Sequence, residues 1–216
     1  MRLFHAPGVY APTADTGLLI RALGSAAIPE GSQVVDVCTG TGAVAIEAGR
    51  AGASAVTAVD ISRRALASAW LNSRLHGVPL ELLHGDFGRV LHRRTFDAVL
   101  ANPPYVPGPA EVPARGRARA WEGGPSGRAL LDPLCRLMPE LLRTKGIALI
   151  VHSSLCDPDL TVRQLRDGGL KAAIVVRETC EFGPVLSRRA HWLEQQRLIE
   201  PGTRQEELVV IRADRE

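Results

Sequence analysis

The segment Asn102-Pro103-Pro104-Tyr105 combines residue types that suit the binding of a planar amino group. The carboxamide of Asn102 supplies both a carbonyl acceptor and an amide donor. Two consecutive prolines hold the backbone extended, remove two N–H groups and leave carbonyls free to accept hydrogen bonds. Asn102 and the Pro103 carbonyl can therefore hold an amino group, with Tyr105 against its face. The same residues are also compatible with a rigid proline loop that leaves a strand.

A glycine-rich turn, residues 39–42 (TGTG), follows an apolar run that contains Asp36. Glycine permits positive φ and a close approach of the backbone to a ligand. An acid in the preceding strand suits a ligand with a free amino group. The pattern also fits an ordinary tight turn between a strand and a helix. A dinucleotide site is disfavoured because the third glycine of that fingerprint is missing, and the chain contains no GxxxxGK[ST] loop for a nucleoside triphosphate.

Two further acids follow apolar runs where strands of an α/β sheet would end. Asp60 has the position of a carboxylate that binds both hydroxyls of a ribose, or of an N-terminal cap for the next helix. Asp86 can accept a hydrogen bond from an adenine amino group with Phe87 against the ring, or it is a turn aspartate. Each acid is therefore compatible with a ligand contact and equally with an ordinary structural role.

These residues lie in a chain where apolar runs alternate with helical patterns. The predicted strands are residues 33–38, 55–60, 80–84, 96–101, 147–152, 172–177 and 208–212, the predicted helices are residues 43–50, 63–76, 130–142 and 161–167, and residues 103–125 are a predicted loop. This alternation predicts an α/β fold with an open, mostly parallel sheet and helices on both faces. Such a sheet binds ligands beyond the carboxyl ends of its strands, where the strand order reverses.

The composition is that of an ordinary folded protein and argues against a disordered, fibrous or disulfide-framework chain. Apolar residues make up 45% of the 216 residues and charged residues 23%, and a chain of this length can bury a sizeable core. The net charge of +3 is too small to indicate a dedicated nucleic-acid binder. Four widely spaced cysteines predict a reducing compartment and no metal site. Without a signal peptide or a membrane span in the sequence, we expect a soluble cytoplasmic protein.

Residues 36–42, Asp60, Asp86 and residues 102–105 together resemble the class I S-adenosylmethionine-dependent methyltransferases, in the branch that methylates nitrogens through an NPPY motif. Two longer segments are similar to the HemK-related glutamine methyltransferases. They are residues 9–19, VYAPTADTGLL, and residues 120–128, AWEGGPSGR. The resemblance covers roughly residues 9–178 and resumes at the final strand. It implies a single Rossmann-like domain over residues 1–216, with a doubly wound seven-stranded sheet whose last strand is antiparallel.

The resemblance also implies roles for individual residues. The S-adenosylmethionine cofactor, which leaves as S-adenosylhomocysteine, would be bound by Thr16, Asp36, Cys38, Thr39, Gly40, Gly42, Asp60, Ile61, Asp86, Phe87 and Asn102. The methyl acceptor would be bound by Asn102, Pro103, Pro104 and Tyr105, of which Asn102, Pro103 and Tyr105 are the expected catalytic residues. Methyl transfer needs no general base before attack, so we expect no catalytic role for His84 or His152.

The chain departs from the family pattern in three places. Cys38 stands where the first glycine of the turn is common. About 30 residues, expected to form a helical or lid segment (residues 1–30), precede the first strand, whereas bacterial release-factor enzymes usually carry an N-terminal helical docking domain. Residues 180–203 are expected to be an insertion before the last strand. These departures concern the identity of the acceptor more than the reaction.

The expected activity is methylation of a glutamine side-chain amide in a protein, such as the GGQ motif of a translation release factor. One alternative is an amino group of adenine or guanine in DNA or RNA, because residues 115–119 (RGRAR) could meet phosphates. Small-molecule methylation and a cofactor-binding protein without activity are further alternatives. The sequence leaves open the oligomeric state and the need for a small activating subunit.

Overall fold

The computed structural model describes residues 1–109 and 116–216. Its strands are β1 (Gln33–Val37), β2 (Ala55–Asp60), β3 (Glu81–His84), β4 (Phe96–Ala101), β5 (Leu142–Ser153), β6 (Lys171–Glu181) and β7 (Gln205–Asp214). Its α-helices are α1 (Ala14–Ser25), α2 (Ala43–Arg50), α3 (Arg63–His76), α4 (Phe87–Val90), α5 (Leu131–Leu141), α6 (Pro158–Asp167) and α7 (Pro184–Gln195). Two short 3₁₀ helices are Gly116–Ala120 and Ser154–Cys156.

The seven strands form one sheet in the order β3-β2-β1-β4-β5-β7-β6. Strands β1 to β5 pair in parallel, and β7 is antiparallel to both β5 and β6. The predicted fold, a mostly parallel doubly wound sheet with an antiparallel last strand, is therefore confirmed. Because the strand order reverses between β1 and β4, a crevice forms at the carboxyl ends of these two strands.

Helices cover both faces of the sheet because right-handed crossovers run in two directions from β1 and β4. On one face α1 packs against α2, and α2 packs against α3. On the other face α5 packs against α4 and α6. The strands between these layers are apolar and almost inaccessible to solvent, as at Val35, Val99 and Ile150. The turns that leave β1 and β4 are consequently held by a rigid core.

The N-terminal segment is tied to the outer side of α3. The carboxamide of Asn72 accepts a hydrogen bond from the Phe4 N–H and donates one to the Phe4 carbonyl, both at 2.8 Å. The Ser68 hydroxyl accepts from the Ala6 N–H at 3.0 Å. These contacts fix the start of the chain against α3.

Strands β6 and β7 are longer than the apolar runs that predicted them. Strand β6 continues past the expected end at Arg177 to Glu181, and it pairs with β7 along its whole length. Its outer face carries exposed residues such as Arg177 and Thr179, while the alternate residues are partly buried. The residues of β6 after Arg177 are mainly polar, so an apolar run does not detect this part of the strand.

The expected insertion, residues 180–203, begins inside β6 and contains helix α7. Helix α7 buries Leu186, Ala190 and Leu193 in a small cluster with Phe182. Val106, which follows the NPPY segment, packs against this cluster. The segment therefore covers the loop after β4.

Candidate active site

A cavity of about 970 Å³ opens at the carboxyl ends of β1, β2 and β4. Nearly all the residues predicted to bind cofactor or acceptor line it, namely Thr16, Asp36, Cys38, Thr39, Gly40, Asp60, Ile61, Asp86, Phe87, Asn102, Pro103, Pro104 and Tyr105. Gly42 is the exception, because it turns the chain into α2 behind the cavity wall. A Cβ at Gly42 would lie 3.0 Å from the Cβ of Ala69. Gly42 therefore permits the close packing of α2 against α3.

The turn after β1 has a left-handed backbone at Cys38, Gly40 and Gly42, with φ values of 63°, 56° and 81°. Glycine adopts this conformation without steric cost, whereas a cysteine does not. The Cys38 side chain is partly buried, and burial raises the pKa of its thiol well above the usual value. Cys38, which stands where the resemblance leads us to expect a glycine, therefore has a backbone conformation that is strained for a cysteine.

Asp36 lies on β1, below this turn, with 1% of its surface exposed. Its Oδ2 accepts hydrogen bonds from the Thr39 hydroxyl at 2.6 Å and from the Ala45 N–H at 3.2 Å. Burial raises the pKa of Asp36 from 3.8 to about 7, against the lowering effect of these two donors. An ammonium group in the cavity would offset this desolvation by supplying an opposite charge.

Asp60 ends β2, and both of its carboxylate oxygens are fixed by backbone donors. Oδ2 accepts from the Gly40 N–H at 2.9 Å, and Oδ1 accepts from the Ser62 N–H at 2.8 Å. Each oxygen retains a lone pair for a hydroxyl donor, as binding of a ribose requires. The alternative that Asp60 caps the next helix is wrong, because Ser62 caps α3 by accepting from the Ala65 N–H. Burial is the main cause that raises the pKa of Asp60.

Asp86 and Phe87 stand side by side where β3 leads into α4. Asp86 is exposed and makes no side-chain cap hydrogen bond to that short helix. Phe87 is 8% exposed and packs in the main core with one side on the cavity. The exposed carboxylate is therefore available to a ligand whose ring lies on Phe87.

The NPPY segment leaves β4 and meets the N-terminus of α1. The Asn102 Nδ2 donates to the Thr16 hydroxyl at 3.3 Å. Within residues 1–109 and 116–216, no protein group donates to the side-chain oxygen of Asn102 or to the Pro103 carbonyl. Both oxygens can therefore accept hydrogen bonds from one incoming amino group.

Tyr105 lines the cavity but is largely buried, with 7% of its surface exposed. Its hydroxyl donates to Asp15 Oδ2 at 3.0 Å, and its carbonyl accepts from the Cys156 thiol at 3.0 Å. Burial, with the carboxylate of Asp15 beside it, raises the pKa of Tyr105 well above the usual value. The phenol thus fixes the loop to α1 while its ring forms part of the cavity wall.

The sequence prediction missed Asp15, which organises this junction. Asp15 Oδ1 accepts from the Thr13 hydroxyl and from the Thr16 N–H, each at 2.6 Å. Its Oδ2 receives the Tyr105 hydroxyl, so one buried carboxylate joins α1 to the NPPY loop. Asp15 lies inside the segment 9–19 that carries the family resemblance, and that signal could have identified it.

A second missed residue is Glu206, near the start of β7. It lines the cavity, and its Oε2 is buried without a hydrogen-bond partner among the residues that the structure describes. Burial raises the pKa of Glu206 from 4.5 to about 7, with a smaller contribution from Asp15, while the Ser153 hydroxyl lowers it. In the sequence this residue is one of five consecutive polar residues, TRQEE, before an apolar run. Nothing in that pattern marks it as part of a site.

The loop after the NPPY segment is held by an ion pair with α7. The Glu122 side chain is fully buried, and its Oε2 receives Arg189 Nη2 at 2.5 Å. Arg189 Nη1 also donates to the Pro107 carbonyl at 2.9 Å. Of the arginines in residues 115–119, Arg117 and Arg119 line the cavity, and Arg115 lies outside the described residues.

Neither a metal-binding cluster nor a membrane-spanning helix is present in the described ranges, 1–109 and 116–216. No group of histidine, cysteine and acidic side chains there is arranged to hold a metal ion. None of the helices in those ranges has the length and apolar character needed to cross a membrane.

The chain is similar to known methyltransferases in sequence. The family model of the methyltransferase small domain matches residues 1–116. A protein of Methanocaldococcus jannaschii, named as a protein N5-glutamine methyltransferase, is 31% identical over 82% of this chain and 88% of its own length. Methyltransferase HEMK2 of Mus musculus is 34% identical over 76% of this chain and 80% of its own length.

Other relatives are longer than this chain. The release factor glutamine methyltransferase of Mycolicibacterium smegmatis is 34% identical over 68% of this chain, but the match spans only 54% of that enzyme. In structure, the Mtq2–Trm112 complex of E. cuniculi, which methylates the termination factor eRF1, has a chain with a TM-score of 0.66. The match covers 97% of this chain and 99% of that chain. The two sequences are 22% identical, so this likeness concerns the fold alone. With the family model matching over half of its length and relatives above 30% identity, this chain is a methyltransferase of the methyltransferase small domain family, similar within it to the HemK-related glutamine methyltransferases.

Proposed function

We propose that this enzyme transfers a methyl group from S-adenosylmethionine to the side-chain amide nitrogen of a glutamine in a translation release factor, in the cytoplasm. The observation that carries the proposal is the pair of acceptors on Asn102 and Pro103, which line the same cavity as Asp36 and Asp60. The names of the M. jannaschii and M. smegmatis relatives support glutamine as the methylated residue and a release factor as the acceptor. We further propose one domain over residues 1–216, with residues 1–30 as its lid.

The residues around the cavity fit the proposed cofactor. The buried carboxylate of Asp36 would receive the ammonium group of its methionine end, with Thr16 and the backbone of residues 38–42 around that end. Asp60 would accept hydrogen bonds from both ribose hydroxyls. Asp86 and Phe87 would hold the adenine through its amino group and its ring face. The cofactor supplies an electrophilic methyl group on a sulfonium.

The chain itself would position the acceptor nitrogen. An amide nitrogen is a poor nucleophile because its lone pair is delocalised into the carbonyl. Two hydrogen bonds, to the side-chain oxygen of Asn102 and to the Pro103 carbonyl, would favour a rehybridised nitrogen over the planar amide. The cofactor would leave as S-adenosylhomocysteine when the methyl group is transferred. The alkylated nitrogen would be acidic and would release its proton to water. No general base is needed in this scheme, and His152, whose pKa burial lowers to about 4, is not among the described residues that line the cavity.

The test is to find where a labelled methyl group arrives. Purified protein is incubated with labelled cofactor and, in separate reactions, a release factor, RNA and DNA. Because the Mtq2 structure contains Trm112, each reaction is run with and without that type of small subunit. We expect label on a glutamine of the release factor. Label only in RNA or DNA would overturn the proposal in favour of nucleic-acid methylation.

The variant Asn102→Ala tests the role of the acceptor pair. We expect turnover to fall on the order of 100-fold or more, which is typical for removal of one positioned hydrogen-bonding group from an active site. Cofactor affinity measured by calorimetry should stay within about threefold. The matched control is Gln196→Ala, which removes an exposed carboxamide at the end of α7. Near-normal turnover of the Asn102 variant would contradict the assignment.

A further inference from the structure

We propose that Glu206 binds the methyl acceptor by donating a hydrogen bond from its protonated carboxyl group to the carbonyl oxygen of the substrate amide. This inference rests on the proposed function, because it concerns the acceptor end of the same cavity. Glu206 would therefore select acceptors that offer an amide carbonyl beside the reactive nitrogen. Side chains that present only an amino or guanidinium group would lack this contact.

The position of Glu206 suits this role. It lies on β7 opposite Cys180 of β6, and both residues line the cavity together with Asn102 and Tyr105. Its carboxyl group is close enough to Asp15 and Tyr105 for their charges to influence one another. Glu206 is therefore at the junction of α1 and the NPPY loop, where the acceptor amide would enter.

The surroundings of Glu206 favour its protonated form. The groups that face it are Asp15 from α1, Tyr105 from the loop, Cys156 and Cys180, with Tyr10 from the N-terminal segment. All of these are acidic groups, and no ion pair joins Glu206 to a cation within the described ranges. Burial is the largest cause of the raised pKa, and Asp15 adds to it. A protonated carboxyl group offers one O–H donor, whereas a carboxylate offers none.

The hydrogen-bond donors of Asn102 and Tyr105 are already used within the protein. The acceptor amide has two N–H donors, which Asn102 and Pro103 can receive, and one carbonyl oxygen that needs a donor. The Asn102 amide already donates to Thr16, and the Tyr105 hydroxyl donates to Asp15. The buried Oε2 of Glu206 has no partner in the described part of the chain. A buried carbonyl without a donor weakens binding, so the O–H of Glu206 completes the site.

The experiment compares Glu206→Gln, Glu206→Ala and the control Glu207→Gln. Glu207 is the next residue of β7 and forms an ion pair with Arg177 on the surface. The KM for the release factor is measured from pH 6 to 9 at saturating cofactor. Under this condition a change in cofactor binding caused by titration of Asp36 does not alter the measured KM. A peptide containing Gly-Gly-Gln is also titrated calorimetrically onto the protein in the presence of S-adenosylhomocysteine, which gives a readout independent of turnover.

We expect the KM of the wild-type enzyme to rise roughly tenfold in total between pH 6 and pH 9, because ionisation removes the donor. Glu206→Gln, whose amide donates at every pH, should show a KM that does not change over this range. Glu206→Ala should raise KM roughly tenfold at pH 6, as expected for one lost hydrogen bond to a buried carbonyl. Glu207→Gln should follow the wild-type profile.

Two failures are distinguishable. If Glu206→Gln keeps the wild-type pH profile, or Glu206→Ala binds the peptide as tightly as the wild-type protein at pH 6, the role of Glu206 is refuted while glutamine methylation stands. If the wild-type protein does not methylate the release factor at all, the proposed function itself is wrong, and the inference about Glu206 fails with it.

Discussion

Replacement of Asp36 by asparagine should stabilise the protein without ligand while it weakens cofactor binding. The wild-type carboxyl group is 1% exposed, and burial raises its pKa from 3.8 to about 7. Between these two pH values the folded protein binds a proton that the unfolded chain has released. The free energy of unfolding therefore falls as the pH rises from about 4 to about 7, and it stays lower above pH 7.

The magnitude follows from that difference in pKa. Each unit corresponds to about 1.4 kcal/mol, so an ionised Asp36 reduces the free energy of unfolding by up to roughly 4 kcal/mol at pH 8. Asparagine keeps an oxygen that accepts from Thr39 and Ala45 but carries no charge. The Asp36→Asn variant should therefore be more stable than the wild-type protein at pH 8 by up to this amount, and equally stable below about pH 4.

Cofactor affinity should change in the opposite direction. A hydrogen bond between an ammonium group and a carboxylate contributes about 1.5–3 kcal/mol, so its loss should weaken binding roughly 10- to 150-fold at pH 8. At pH 6, where the wild-type carboxyl group is largely protonated, the difference between the two proteins should shrink. This convergence distinguishes loss of charge from general damage to the site.

Urea unfolding at several pH values from 4 to 8 and calorimetry with S-adenosylmethionine at pH 6 and 8 measure these effects. Asp159→Asn, which removes an exposed carboxylate from α6, is the control and should change stability by no more than about 0.5 kcal/mol. If the Asp36 variant loses stability with pH as steeply as the wild-type protein, burial of this carboxyl group is not the cause of the pH dependence, and the reasoning is refuted.

Two further variants test a side-chain hydrogen bond and a strained backbone position beside the cavity. Tyr105→Phe leaves the buried Asp15 Oδ2 without the hydroxyl donor that lies 3.0 Å away. The free energy of unfolding should therefore fall by about 1–3 kcal/mol, and turnover should fall about tenfold. Unchanged stability in urea would contradict this contact. Cys38→Gly relieves a left-handed backbone with φ of 63°, so the free energy of unfolding without ligand should rise by about 1 kcal/mol. A loss of stability in the same urea measurement would mean that packing of the thiol outweighs the strain.

The parts of the site that follow buried parallel strands were predictable from the sequence. Asp60 and Asn102 come directly after such apolar runs, and the topology of the fold then brings the strand ends to one edge of the sheet. The position of each residue in the cavity could be inferred because it lies at the end of a strand.

The remaining parts could not be predicted because they depend on pairings between distant segments. The contact of Tyr105 with Asp15 joins residues 90 positions apart, and no periodicity in the chain encodes it. Glu206 belongs to a strand whose first residues are polar, and its importance comes from the neighbours β5 and β6. The extension of β6 to Glu181 was missed because its residues are mainly polar and alternate ones face solvent, so that only the pairing with β7 defines it as a strand.

Because of the order of the strands in the sheet, the two walls of the cavity can form at different times during synthesis of the chain. Strand β7 lies between β5 and β6, so β6 has no edge to pair with until β7 has emerged from the ribosome. The wall that carries Asp36, Asp60 and Asn102 needs only β1, β2 and β4, which are complete by Ala101. The nascent chain can therefore assemble the wall with Asp36, Asp60 and Asn102 early, whereas the wall with Glu206 requires contacts of long sequence separation and closes last.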